Sequence, residues 1–338
     1  MTRIAIMGAG GWGTALACVA GRAGHVVRLW SRNEEVVAAI NAHRVNHVYL
    51  PAREIKGDVS ATPDPREALR GGEVIVLAAP SHATRELLTR TAEDVPAGAT
   101  LVSATKGIEV ETGLRVSEIA GDVFGAGRAR DFVCLSGPSF AQEVAAGQPT
   151  AVVAACETVA PALRVQSVLS YENLRVYTND DLVGVELGGA VKNVIALAAG
   201  MVDGLGFGAN SVAALVTRGL AEMTRFSVAQ GARVETLTGL AGLGDLVLTC
   251  TGSLSRNRRV GQELGRGRAL AEIVGGMREV AEGVLTTRAV KRLADALGVE
   301  MPITDQVHAV LYEGRRAGDA ARELMTRPLR GEFEGMMK

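Results

Sequence analysis

The sequence predicts an α/β architecture: an N-terminal doubly wound, parallel-stranded sheet followed by an all-α C-terminal domain. Three observations carry this. Short apolar, β-branched runs alternate with amphipathic segments through the first half, the pattern of buried parallel strands joined by right-handed helical crossovers. A glycine-rich turn separates the first such run from the first helical segment. After Thr178–Asn179 the strand-like runs nearly vanish and helical patterns take over.

The expected strands are Arg3–Met7, Val26–Trp30, Val74–Ala78, Thr100–Ser103 and Phe132–Leu135, then Ala151–Ala155 and Leu174–Tyr177. Helices are expected over Trp12–Ala23, Glu34–His43, His82–Ala92 and Val159–Ser170. Beyond a boundary at Asn179–Asp181, the periodicity predicts helices over Asp181–Met201, Ser211–Gln230, Arg256–Leu264, Thr286–Leu297 and Asp305–Gly314. The expected domains are therefore 1–179 and 180–338. Gly331–Lys338 has no clear pattern and is expected to fray.

Composition narrows the function classes. The 338 residues are 47% hydrophobic and 22% charged, an ordinary globular balance with room for two cores. A net charge of −1 excludes electrostatic attraction to nucleic acid as the main role. Cys18, Cys134, Cys156 and Cys250 are widely spaced and form no CxxC pair, which argues against a disulfide framework or a zinc site and for buried thiols in a reducing cytosol. His25, His43, His47, His82 and His308 form no recognisable metal motif, so no metal is expected. Thr2–Met7 reads as a strand rather than a leader. The longest apolar stretch, Val183–Val202, contains Glu186, Lys192 and Asn193, and so predicts a buried helix rather than a membrane span.

Ile4–Met7 followed by Gly8, Gly10 and Gly13 fits strand, G-x-G-x-x-G, helix. Gly8 permits the tight turn, Gly10 lets backbone approach a pyrophosphate, and Gly13 lets the helix pack on the strand. The helix N-terminus then offers N–H groups and a positive dipole end to phosphates. The strand and helix around the motif make it far more specific than the three glycines alone. It predicts a Rossmann-like, dinucleotide-binding first domain. The second strand ends not in an acidic residue but in Ser31-Arg32-Asn33. A cationic Arg32 suits a 2′-phosphate, so NADPH is accepted; the plain alternative is a solvated loop arginine.

Further segments are long and specific. They are Ser103-Ala104-Thr105-Lys106-Gly107-Ile108-Glu109, Leu135-Ser136-Gly137-Pro138-Ser139-Phe140-Ala141-Gln142-Glu143, and Glu186-Leu187-Gly188-Gly189-Ala190-Val191-Lys192-Asn193-Val194-Ile195-Ala196. Asp203–Asn210 and Leu240-Ala241-Gly242-Leu243-Gly244-Asp245-Leu246 follow in order. Together they resemble the bacterial-type NAD(P)-dependent glycerol-3-phosphate dehydrogenases from the first strand to beyond Glu282. The resemblance implies reversible reduction of dihydroxyacetone phosphate to sn-glycerol 3-phosphate with NADPH/NADP or NADH/NAD, in the cytoplasm, supplying glycerophospholipid synthesis. The partner is a small-molecule substrate, with no nucleic acid and no membrane span; a homodimer is the assembly left open. One departure is visible: many relatives carry Ser where this chain has Gly11, so a hydroxyl contact to the cofactor phosphates is expected to be lost while a backbone N–H remains.

The resemblance also implies roles. Lys192, in an otherwise apolar helix, becomes the proton-transferring residue: its ammonium stabilises the developing alkoxide and donates a proton, and its neutral form is the base for oxidation. Both need a depressed pKa, which burial or a second cation such as Lys106 can give. Lys106, Gly137, Ser139, Lys192, Asn193, Asp245, Ser255, Arg256 and Asn257 are implied at the substrate. Ser255 can cap the following helix, Arg256 can chelate phosphate oxygens, and Asn257 adds a donor. Arg258 and Arg259 read as surface charges. Asp245, in a Gly-rich turn, is implied to hold the lysine or a substrate hydroxyl. Gly8, Gly10, Gly11, Trp12, Gly13, Arg32, Tyr49, Lys106, Ala141, Arg256, Val280 and Glu282 are implied at the cofactor; Trp12 and Tyr49 serve equally as packing. His82 follows a strand end and reads as a cap or groove residue.

Two other readings compete. A dehydrogenase for a hydroxy acid or sugar phosphate would share the glycine loop but lack Lys192-Asn193 and Ser255-Arg256-Asn257 together. A nucleotide-sensing protein without chemistry would not need Lys106, Lys192, Asp245 and Arg256.

Overall fold

The first strand, β1 (Arg3–Met7), buries every residue after Arg3, as a central strand covered on both faces must. The computed structural model describes residues 1–277, 281–329 and 331–332. The other strands are β2 (Val26–Trp30), β3 (Val45–Asn46), β4 (Leu50–Glu54), β5 (Val59–Thr62), β6 (Val74–Leu77), β7 (Thr100–Ser103), β8 (Val133–Ser136), β9 (Thr150–Ala155) and β10 (Leu174–Asn179). Eight form one sheet in the order β10-β9-β8-β7-β6-β1-β2-β5; β3 and β4 pair separately as an antiparallel hairpin. The chain goes outward from β1 through β2 to β5, then returns to β6 on the other side of β1. That reversal is the switch point where such sheets open a crevice at their carboxyl edge.

Register brings the loops to that edge. Met7 pairs with Trp30 and with Leu77, and Leu77 pairs with Ser103. The glycine loop, Ser31–Asn33 and Ala78–Ser81 therefore leave the sheet side by side. The helix Gly11–Arg22 is buried from Gly13 to Gly21. A Cβ at Gly13 would lie 1.9 Å from the Gly8 carbonyl oxygen, so only glycine lets helix and loop close so tightly.

Seven strands lie where alternation predicts them. The sheet departs from all-parallel at one place: β9 is antiparallel to β8, and β10 is parallel to β9. The link between β8 and β9 carries one short helix, Ala141–Ala145, then turns back through Gly147 at φ +76°. Edge strand β5 and the β3–β4 hairpin were not expected. Val-Ser-Ala-Thr is too short and polar for a readable alternation, and β5 exists because it pairs with β2 from Val27↔Val59 to Trp30↔Thr62.

Two compact units result. One contains Met1–Thr105 and Val116–Leu182; the other contains Lys106–Arg115 and Val183–Lys338. The division differs from a single cut after Asn179 in two respects: the first unit runs on to Leu182, and Lys106–Arg115 belongs with the second unit. Ile108 joins that unit's core, and Arg292 donates to the Glu111 carbonyl at 3.0 Å. Residues 333–338, expected to fray, lie outside the described residues.

The second core is built around the helix Leu182–Gly204, with Leu187, Val191, Val194, Ile195 and Leu197 fully buried. Among the described residues it is the one helix long and apolar enough to cross a membrane, and 94% of its apolar window is buried inside the protein. A helix apolar all round is a core helix when neighbours cover every face. The helix Arg256–Gly265 lies directly on it. Added Cβ atoms would meet backbone oxygens: Gly200 at 2.0 Å from Arg258, Gly204 at 2.2 Å from Gln262, Gly261 at 2.0 Å from Leu197 and Gly265 at 2.4 Å from Met201. Four glycines thus bring two helix backbones into contact and fix where the second helix begins.

Candidate active site

The first unit carries the loop edge. Gly8 sits at φ +130°, and a Cβ there would lie 2.7 Å from the Ala78 carbonyl oxygen across the switch point. A Cβ at Gly10 would meet nothing within 4 Å, so the bare backbone borders open space, as close approach of a pyrophosphate requires. Gly10 is the N-cap of Gly11–Arg22 and brings no side chain to the first N–H groups. Trp12 packs on the core with its ring, and its buried Nε1 has no hydrogen-bond partner among the described residues. Those features fit a bound dinucleotide.

Beyond β2, Ser31 Oγ accepts the Asn33 N–H at 3.2 Å, and Asn33 Oδ1 caps the helix Glu34–His43 through Glu35 N–H and Val36 N–H. Arg32 projects between these anchored neighbours and is exposed. Tyr49 lies in the turn between β3 and β4, half-buried against the same core. Gly137 follows β8 at φ +135°, and Ser139 Oγ donates to its carbonyl at 2.8 Å. Ala141 opens the short helix behind them.

The second unit carries the titratable cluster. Asp245 is 1% exposed, and each of its oxygens takes one ammonium: Oδ1 from Lys192 at 2.5 Å and Oδ2 from Lys106 at 2.6 Å. Lys192 also donates to Thr249 Oγ1 at 2.7 Å, and Thr249 Oγ1 donates to the Asp245 carbonyl at 2.6 Å. Burial pulls the Lys192 pKa down to about 8; Asp245 opposes this and the Lys106 charge assists it. Lys106 is thus a secondary cause of the depression, behind desolvation. Burial alone would raise the Asp245 carboxyl, but the two ammonium groups outweigh it and hold it below the usual range. Asp245 is not in a simple Gly-rich turn. Leu240–Gly244 forms a π-turn, and Asp245 begins the helix Asp245–Thr251, which puts Thr249 one turn away on the same face. Burial pushes the neighbouring Cys250 thiol up to about 12, which disfavours its thiolate.

An asparagine chain adjoins the lysines. Asn193 Nδ2 donates to the Lys106 carbonyl at 3.3 Å, and Asn193 Oδ1 accepts from Asn257 Nδ2 at 2.8 Å. Asn257 Oδ1 in turn accepts the Gly283 N–H at 3.0 Å. A Cβ at Gly283 would lie 2.6 Å from the Asn193 carbonyl oxygen, so glycine is required there. Asn257 is therefore chiefly a bracket between three helices, with one side-chain N–H left beyond its bond to Asn193. Ser255 caps the helix Arg256–Gly265, its Oγ accepting the Arg258 N–H at 3.2 Å, and Arg256 is exposed at the helix start. Arg258 is not an ordinary surface charge: it is half-buried and pairs with Asp203, which also accepts from Gln262 at 2.7 Å.

Glu282 begins the helix Glu282–Leu297, half-buried; Val280 lies outside the described residues. His82 stands exposed in the first turn of the helix Ser81–Thr91. Among the described residues no group of His, Cys, Asp and Glu is placed to hold a metal. Sequence reasoning missed Thr249, although its i, i+4 spacing from Asp245 was a readable signal. It also missed the Arg115–Glu186 pair, 2.7 Å apart and largely buried, whose partners lie too far apart in sequence for any local pattern.

Comparison with known proteins adds an independent line. Residues 3–162 match the family model for the NAD-dependent glycerol-3-phosphate dehydrogenase N-terminus, and residues 181–322 match that for its C-terminus. A Koribacter versatilis protein named glycerol-3-phosphate dehydrogenase [NAD(P)+] is 56% identical over 97% of this chain and 98% of its own length. A Geobacter relative of the same name is 52% identical over 98% of each. The crystal structure of a Coxiella burnetii glycerol-3-phosphate dehydrogenase superposes with a TM-score of 0.92 at 42% identity, covering 96% of this chain and 99% of that one.

Proposed function

Because the chain belongs to the NAD-dependent glycerol-3-phosphate dehydrogenase family, we propose that Lys192 moves the proton in its reaction and that Asp245, Lys106 and Thr249 hold that lysine in place. The activity is the NAD(P)-dependent interconversion of dihydroxyacetone phosphate and sn-glycerol 3-phosphate. The observation that carries the residue assignment is the buried carboxylate shared between two lysines.

Bound reduced nicotinamide supplies the hydride. As the carbonyl oxygen gains charge, the Lys192 ammonium stabilises it and gives up its proton. With a pKa near 8, Lys192 is mostly protonated at neutral pH yet close enough to neutrality to take the hydroxyl proton in the reverse direction. Asp245 and Thr249 fix Nζ, so the proton is delivered from one place. Arg256 and the start of its helix, with the remaining Asn257 N–H, suit the substrate phosphate. Gly137 and Ser139 are assigned to the substrate, and Asn193 orders the Lys106 loop through its carbonyl. Gly8, Gly10, Gly11, Trp12, Gly13, Arg32, Tyr49 and Ala141 are assigned to the dinucleotide, with Lys106, Arg256, Val280 and Glu282 contributing from the second unit's sequence.

The family resemblance supports a cytoplasmic role feeding glycerophospholipid synthesis; a homodimer is the assembly left open, which sedimentation would test. The decisive experiment follows NADPH absorbance on addition of dihydroxyacetone phosphate, with NADH in parallel. Substrate-dependent oxidation by the native protein, and its loss through kcat in Lys192→Ala, is the expected result. Unchanged turnover in that variant would remove Lys192 from the mechanism.

A further inference from the structure

We propose that Asn46 is the positioning residue of the glycine loop: it fixes which way the Ala9–Gly10 peptide points, and so presents N–H groups to the nucleotide pyrophosphate. This rests on the reading of that loop as the dinucleotide cradle.

Asn46 is a fully buried polar side chain at the end of β3, far in sequence from the loop it touches. Its Nδ2 donates to the Ala9 carbonyl at 2.9 Å and to Thr14 Oγ1 at 2.9 Å. Its Oδ1 accepts the Tyr49 N–H at 3.1 Å. The orientation of the amide is not arbitrary, because the Ala9 carbonyl can only accept and the Tyr49 N–H can only donate. Thr14, also fully buried, directs its own hydroxyl to the Ala9 carbonyl at 3.4 Å.

Ala9 sits between Gly8 and Gly10, two residues without the Cβ that restricts other backbones. In a trans peptide the C=O of Ala9 and the N–H of Gly10 point in opposite directions. Holding the carbonyl inward on Asn46 therefore turns the Gly10 N–H outward, toward the open space that borders Gly10. Released, that peptide could rotate and show a carbonyl oxygen to an anionic ligand instead. The same side chain ties the turn that carries Tyr49 to this loop, so one residue sets two assigned cofactor contacts at once.

The test titrates NADPH into the full-length protein by fluorescence, with melting followed in the absence of ligand. Asn46→Ala removes both anchors; Asn46→Asp keeps the shape but sets a carboxylate oxygen against the Ala9 carbonyl. Both should weaken NADPH binding by about ten- to a hundredfold, the equivalent of one or two lost buried hydrogen bonds. They should raise KM for NADPH while leaving kcat at saturation and KM for dihydroxyacetone phosphate within about twofold. Asp should be at least as weak as Ala, the reverse of what filling a cavity would give. A packing role alone would lower the melting temperature with NADPH affinity unchanged, and that result overturns the proposal. If neither variant folds, Thr14→Val, which keeps volume but removes the second anchor, decides: about threefold or more weakening is expected, and unchanged affinity overturns it. Failure of the native protein to bind NADPH would instead overturn the reading of the loop, and this inference with it.

Discussion

Lys192 and Lys106 are joined through opposite oxygens of one buried carboxylate, Asp245, at 2.5 and 2.6 Å. One negative charge therefore serves two positive ones, and the cluster carries the net positive charge that the proposed mechanism needs beside a substrate oxygen turning anionic. A lone buried lysine would lose its proton to desolvation; one paired with its own carboxylate would keep it too firmly. Sharing the carboxylate leaves Lys192 between those limits, at about 8.

Asp245→Asn tests that balance. The amide cannot offset two ammonium groups, so the Lys192 pKa falls further. On the proposed mechanism reduction needs protonated Lys192, so its alkaline limb should move to lower pH, and kcat should drop about 10²–10³-fold, in line with loss of a catalytic electrostatic partner. Thr249→Val removes one acceptor for the same ammonium and should shift the limb in the same direction by less. The pH profiles of kcat/KM in both variants check this; an unmoved limb in Asp245→Asn would detach the carboxylate from Lys192 titration.

Glu222 predicts a pH dependence of stability away from the cluster. It is 1% exposed and accepts from the Ile303 N–H and, at 3.2 Å, from the Thr304 N–H, holding the start of the helix Pro302–Tyr312. Burial raises its pKa from 4.5 to about 7, with those N–H groups opposing. The folded state then binds a proton that the unfolded state has already released between these values, so this contribution is full at low pH and is lost as pH rises toward 7. Its size is on the order of 3 kcal/mol. Glu222→Gln should flatten that slope while lowering stability at acid pH by about 1–3 kcal/mol, since one N–H loses its acceptor. Denaturant unfolding of both proteins from pH 5 to 8 measures the difference.

Much of this was legible in the sequence, for reasons that differ between residues. Strands such as β1 and the helix Leu182–Gly204 are readable because burial on every side leaves a run that is almost wholly apolar. Lys192 stood out because a charge in such a run needs an explanation. The sharing of Asp245 was not readable: Lys106 lies 139 residues from it, and only folding of the Lys106–Arg115 segment onto the second unit brings them together. Asn257 was read as a phosphate donor because the sequence shows its amide but not its partners, Asn193 and Gly283. The role of Asn46 was not readable either, since nothing local ties it to Ala9.

The glycine contact between two helices makes a prediction that couples stability to substrate binding. A methyl group at Gly200 would stand 2.0 Å from the Arg258 carbonyl oxygen, and backbone cannot yield as a side-chain tip can. Gly200→Ala should force the helix Arg256–Gly265 away and cost about 1–3 kcal/mol in stability. The displacement would also pull Asn257 from Asn193 and move Arg256, so KM for dihydroxyacetone phosphate should rise more than KM for NADPH. Thermal melts and the two KM values read both effects; a destabilised variant with unaltered KM would separate the packing from the site.

Arg32 sets the last prediction, that of cofactor choice. It follows β2, where an acidic residue would instead bind the ribose hydroxyls of NAD. Asn33 uses its side chain to cap the next helix, and Glu34 and Glu35 occupy that helix's first turn. The N–H groups of Glu35 and Val36 are thus already bonded to Asn33, and the acidic turn disfavours an anion. On the proposed cofactor assignment, a 2′-phosphate would be held mainly by the Arg32 guanidinium, beside the buried Ser31 hydroxyl. Arg32→Asp should weaken NADPH about ten- to a hundredfold through loss of a charge-assisted contact and gain of repulsion, with NADH changed little or improved. Titration of both cofactors against the native protein and the variant gives the ratio. Equal weakening of the two would place Arg32 outside the 2′-phosphate site and leave the choice between NADH and NADPH to another residue at the end of β2.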